Sequence, residues 1–76
     1  MVEQILQRLS EHFDDGKFDV QGEGSHYDVL VVSRAFDGLR PVRRQQLVYA
    51  AVNELIRDGS VHAVNIKALT PDEAEG

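Results

Sequence analysis

Gly24-Ser25-His26-Tyr27-Asp28-Val29-Leu30-Val31-Val32-Ser33 is the stretch on which the reading of the fold turns. A glycine–serine turn opens into a run from Tyr27 to Val32 that is rich in β-branched residues, which suits a pleated strand. Its apolar side chains fall on both faces instead of alternating. A strand of that kind belongs in the middle of a sheet, where both faces are covered.

Upstream, Lys17 to Val20 alternates, with Phe18 and Val20 on one face and Lys17 and Asp19 on the other, the pattern of a half-buried strand. Gly22-Glu23-Gly24-Ser25 reads as the tight turn between the two strands. Before them, Val2, Ile5, Leu6, Leu9 and Phe13 share one helical face, and Asp14-Asp15-Gly16 ends that helix.

Downstream, Phe36-Asp37-Gly38-Leu39-Arg40-Pro41 is a loop with two apolar anchors. Pro41 suits the first turn of a helix, where its missing N–H costs nothing. Leu47, Val48, Ala51, Val52, Leu55 and Ile56 form the apolar stripe of that helix, and Asp58-Gly59-Ser60 closes it through a left-handed glycine. Val61 to Leu69 is a third strand, with Val64 and Ile66 on one face and Asn65 and Lys67 on the other. Thr70-Pro71-Asp72-Glu73 has capping-box spacing, but the chain as given runs only to Gly76, so a single frayed turn is expected. The order is αββ-α-β with a short C-terminal turn. It predicts an α/β fold with a three-stranded mixed sheet, whose second and third strands are parallel and joined by a right-handed crossover.

The 76 residues make one domain, 1–76. A chain this short buries only about 60% of its unfolded surface, so the core is small. The net charge of −5 argues against a dedicated nucleic-acid binder whose whole surface follows phosphate. With no cysteine, there is no disulfide framework and no thiolate to act as nucleophile or metal ligand. His12, His26 and His62 are the only nitrogen donors of that kind. No apolar run approaches the roughly 18 residues of a membrane span, and Glu3 and Gln4 interrupt any secretory signal. The cytoplasm is the default compartment. No nucleophile–base pair and no glycine-rich phosphate loop is present, so the chain reads as a non-enzyme.

Four segments in order carry a resemblance: Gly24 to Ser33, Phe36-Asp37-Gly38, Arg43-Arg44-Gln45-Gln46-Leu47-Val48-Tyr49, and Val61-His62-Ala63. Together they resemble the BolA family, and the Arg-Gln-Gln variant is similar to its IbaG-like branch, over Val2 to about Glu73. The resemblance implies a BolA-like fold, related in topology to the type II KH domain. It also implies a partner, a monothiol glutaredoxin. The partner's cysteine and bound glutathione would supply sulfur to a shared 2Fe–2S cluster that the isolated chain does not hold.

From spacing alone, His62 is a histidine at the mouth of the third strand, bonded to a backbone carbonyl. The resemblance makes it a cluster ligand, because BolA-like proteins use a histidine in this Val-His-Ala context. Imidazole donates to iron while adding no negative charge. His26 is either a turn-flanking histidine or the second ligand; Glu23 lies near the position that a cysteine takes in other branches. His26 and His62 are expected to open adjacent parallel strands. His12 is structural, at the carbonyl end of the first helix.

Arg40, Arg43 and Arg44 crowd a helix N-terminus, where cations oppose the macrodipole. They read either as solvated charge or as a contact for a partner or nucleic acid, and Arg43 and Arg44 together are expected to be replaceable without unfolding the domain. The alternative function is therefore a nucleic-acid-binding regulator, possible DNA contact included, although the KH Gly-x-x-Gly loop is absent. The chain alone is expected to be monomeric and to have no membrane partner.

Overall fold

The computed structural model describes all residues from Met1 to Gly76. Helix α1 spans Val2–His12, strand β1 Lys17–Glu23 and strand β2 His26–Val32. A 3₁₀ turn at Arg34–Phe36 leads to helix α2, Pro41–Arg57, then strand β3, Ala63–Leu69, and a short helix α3, Pro71–Glu75. The sheet order is β1-β2-β3, with β1 antiparallel and β3 parallel to the central β2. The mixed three-stranded sheet and the central position of β2 are as the sequence predicted.

The chain crosses the molecule five times between two ends. One end holds the β1–β2 turn and the turn from α2 into β3. The other holds the α1–β1 turn, the loop before α2, and α3. Both long helices cover one face of the sheet. Their apolar stripes, Ile5 and Leu9 from α1 and Val48, Ala51, Val52 and Leu55 from α2, meet Val20, Tyr27, Val29 and Val31 in one core. The opposite face of β2 is open, and its Leu30 and Val32 are half-buried instead of covered by a second layer. No helix is long and apolar enough to cross a membrane.

Three element ends differ from the sequence reading. β1 runs on to Glu23, so the turn is only Gly24-Ser25. Gly24 has φ +66° and Ser25 has no positive φ, the type II′ pattern that matches the twist of paired strands. β3 begins at Ala63, two residues later than expected, because His62 lies in a bend. The C-terminal segment is a capped helix, not a frayed turn: Thr70 Oγ1 accepts from the Glu73 amide at 3.2 Å, and the Thr70 amide donates to Glu73 Oε1 at 2.9 Å.

Gly22 is where the backbone requires glycine. Its φ is +141°, and a Cβ there would collide with the carbonyl oxygen of His26 and with the Tyr27 backbone. Gly22→Ala is therefore expected to destabilise the domain by about 1–3 kcal/mol, read as a lower midpoint in urea denaturation. Gly38→Ala, with an open surrounding and the same sign of φ, should cost less.

Candidate functional site

The site begins with one carbonyl. Ser25 O, in the β1–β2 turn, accepts from the His62 amide at 2.9 Å and from the Ala63 amide at 3.1 Å. Tyr27 braces the same turn by donating its hydroxyl to Gly24 O at 2.9 Å, so a buried ring keeps its polar tip satisfied. On the other side, α2 stops at Asp58, and Gly59 takes φ +84°. Val61 is buried and bonds through its amide to Leu55 O at 3.0 Å. These contacts hold the turn from α2 into β3 against the hairpin.

Two candidate ligands stand at neighbouring backbone positions here. His26 opens β2 in register with Ala63 of β3, and His62 is the residue before Ala63. Both imidazoles are exposed, and neither bonds to another group of the protein, so their nitrogens face solvent. The backbone-bonded, core-edge reading of His62 fits its amide but not its side chain. Glu23 is directly opposite His26 across the hairpin, and it too is exposed. No three His, Asp or Glu side chains gather to hold a metal ion. The arrangement offers two nitrogen donors and one carboxylate at one corner of the sheet.

The other candidates lie elsewhere. His12 ends α1 with Nδ1 3.1 Å from Arg8 O, at the opposite end of the sheet. Arg40, Arg43 and Arg44 are also at that end, separated from His26 by the length of a seven-residue strand, roughly 20 Å. Arg40 and Arg43 are exposed.

Arg44 is different. It donates to Leu39 O at 2.9 Å and Ala68 O at 3.2 Å, and grips Glu73 through two bonds of 2.6 and 3.2 Å. Its side chain is only 13% exposed. Reading it as a free contact on equal terms with Arg40 and Arg43 is corrected: the bidentate grip pins α3 to the start of α2, which explains why α3 is ordered.

Sequence reasoning missed two further roles. Gln45 Nε2 donates to Ile66 O at 2.8 Å, and Tyr49 Oη is 3.5 Å from Val64 O. With Arg44 on Ala68 O, three side chains of α2 meet alternate carbonyls of β3. These point away from β2, because Ala63 N and Leu69 O are the groups that face it. Asp15, read only as part of a turn, accepts from Ser33 Oγ at 2.7 Å and from the Arg34 amide at 2.8 Å. The Arg34 amide and the Ser33 hydroxyl hold its carboxyl below the usual range. The available signal for α2 was polar residues on the flank of an apolar stripe, which periodicity alone treats as solvent-facing.

A family model described as BolA-like protein matches residues 2–73. The chain is 44% identical over 71 residues to a protein from an rpoN–murA intergenic region of Acinetobacter guillouiae, covering 93% of this chain and 86% of that one. It is 50% identical over 54 residues to the acid stress protein IbaG of Escherichia coli, covering 71% of this chain but 64% of IbaG, just under two thirds of that relative. Among solved structures, a BolA homologue from Coxiella burnetii superposes with a TM-score of 0.85 at 27% identity, covering 100% of this chain and 97% of that one.

The grip of Arg44 and the bond from the Thr70 amide lower the Glu73 carboxyl to about 2. Its contribution is fully present above the ordinary glutamate value of about 4.3 and is lost as pH falls through about 2. The wild-type thermal midpoint should therefore fall more steeply below pH 4.5 than that of Glu73→Gln, in which Asp15 and Asp58, the latter lowered by its bonds from Ser60, still titrate. Arg44→Ala should lower the urea midpoint at neutral pH, while Arg43→Ala stays within the small scatter of surface changes. An unchanged Arg44→Ala midpoint would show that the grip stabilises nothing.

Proposed function

The chain belongs to the BolA family, in its IbaG-like branch, and from that membership we propose that it is a cytoplasmic partner of a monothiol glutaredoxin. The two proteins share a bridging 2Fe–2S cluster, in iron–sulfur trafficking or iron sensing. The chain is a partner protein, not an enzyme, and the cluster is its cargo.

The observation that carries this reading is the corner where His26 opens β2 and His62 leads into β3, both exposed and both side chains free of bonds within the protein. Neutral imidazoles are suited to an iron whose remaining ligands are sulfide. The thiolates must come from outside, since the chain has no cysteine; the glutaredoxin cysteine and glutathione are that source. His62 is the first ligand and His26 the second. Glu23 stands next to His26, but a carboxylate is a harder donor and adds charge beside sulfide. The Ser25 carbonyl orients the backbone that carries His62, and Tyr27 holds the turn that carries Ser25. The alternative, nucleic-acid binding through the helix start, rests on Arg40 and Arg43 alone once Arg44 is engaged with Glu73, and it is the weaker reading.

Mixing the protein with cluster-loaded monothiol glutaredoxin should change the visible absorption and circular dichroism of the cluster. His62→Ala should abolish that change while the far-ultraviolet spectrum stays native and stability moves by no more than about 0.5 kcal/mol. His26→Ala should alter the spectrum more than Glu23→Ala. A His62→Ala complex with the wild-type spectrum would overturn the assignment, and salt-sensitive DNA retention lost in Arg40→Glu/Arg43→Glu would favour the alternative.

A further inference from the structure

The two outer strands of the sheet present different edges. On β3, the outward carbonyls of Val64, Ile66 and Ala68 are met by Tyr49, Gln45 and Arg44 of α2. A strand whose outward acceptors are already engaged is a poor template for another strand. On β1 the situation is reversed. Ser25 O and Ser33 N bond to β3, so the odd-numbered residues of β2 face β3 and the even-numbered ones face β1. Their partners, Lys17, Asp19, Gln21 and Glu23, therefore spend their backbone groups on β2. Those of Phe18, Val20 and Gly22 point outward, and none of them bonds to another part of the protein.

The side chains along this edge have a symmetric order. On the open face of the sheet, Lys17, Asp19, Gln21 and Glu23 are all exposed, and neither Lys17 nor Glu23 has a salt-bridge partner within the chain. An antiparallel copy centred on Val20 sets Lys17 opposite Glu23 and Asp19 opposite Gln21, each twice. On the helix face, Phe18 falls opposite Gly22, where an aromatic ring covers a residue without a side chain. The neighbouring registers are worse. Centring on Asp19 opposes two aspartates, and centring on Gln21 opposes Asp19 to Glu23; like charges directly opposite each other destabilise a pair. The even-numbered residues are outward on both copies, so the Val20-centred register also aligns donors with acceptors.

We propose that β1 is a self-association edge, through which two copies pair antiparallel about a two-fold axis at Val20 into a six-stranded sheet. The occupant is a second copy of this chain, because the charge order complements its own reverse. This runs against the monomer expected from the sequence, and it does not depend on the histidine corner. The negative net charge of each copy opposes association, so the dimer is weak and concentration-dependent.

Sedimentation equilibrium over a micromolar-to-millimolar range tests this, with circular dichroism confirming the fold of each variant. Wild type should show a monomer–dimer equilibrium. Lys17→Glu and Glu23→Lys should each weaken it about tenfold, since either one converts two attractive cross-strand pairs into repulsive ones. The double exchange Lys17→Glu/Glu23→Lys should recover the wild-type constant to within about threefold. Bulk charge predicts otherwise: the two single changes shift net charge in opposite directions and would move association in opposite directions. A wild type monomeric throughout, single variants that associate as well as wild type, or a double exchange that stays monomeric would each overturn the proposal.

Discussion

Parallel pairing of β2 with β3 is the constraint on which the rest of the structure depends. Parallel strands start at the same end of a sheet, so the residues that lead into them are neighbours. That is why Ser25 and His62 meet through a backbone bond of 2.9 Å, and why His26 and His62 share a corner. An antiparallel third strand would put them a full strand apart. Parallel pairing also requires the chain to travel back before β3 can begin. The 17 residues of α2 rise about 25 Å, enough to return over the roughly 20 Å of a seven-residue strand. Gly59 then ends the helix level with the Ser25 turn.

The same helix does a second job. Because α2 runs opposite to β3, successive polar residues along it, Arg44, Gln45 and Tyr49, meet successively earlier carbonyls: Ala68, Ile66 and Val64. One helix thereby supplies the crossover, its share of the core and a cover for the sheet edge. Arg44 goes further by gripping Glu73, whose carboxylate also caps α3. A cation near a helix N-terminus is unfavourable to the helix dipole, and the Glu73 carboxylate held against it offsets that. The structure thus separates three arginines that look equivalent in the chain: Arg44 is a structural tie, while Arg40 and Arg43 remain solvated.

Most of the architecture was legible in the sequence because it follows local rules. The apolar spacing of Val2 to Phe13 and Leu47 to Ile56 marks two helices, and the doubly apolar run at Val29 to Val32 marks the central strand. Pro41 and Gly59 mark where α2 starts and stops. What was not legible depends on contacts distant in sequence. The order in α3 comes from Arg44, 29 residues from Glu73, and no capping rule contains that. The latch of Asp15 on Ser33 and Arg34 spans 18 and 19 residues. The extension of β1 to Glu23 follows from Gly22, read as a turn former but used in the ladder with positive φ. In the candidate site, the adjacency of His26 and His62 could be foreseen from topology. The freedom of both imidazoles could not, because a histidine at a strand mouth is as well placed to bond inward.

The β1 edge and the histidine corner are linked by electrostatics. The last row across the open face of the sheet is Glu23, His26 and Ala63. In the monomer that row ends on an unpaired carboxylate, which raises the negative potential around His26 and disfavours an approaching anionic group. In the six-stranded arrangement the row continues into the second copy, and Lys17 of that copy stands beside Glu23. The lysine offsets the carboxylate without occupying the corner itself. Because the two copies run antiparallel, their histidine corners lie at opposite ends of the shared sheet and neither blocks the other. Self-association through β1 therefore leaves both corners open to a partner while making each less negative. The sign of that coupling follows from the position of one exposed lysine six residues before Glu23 in the chain.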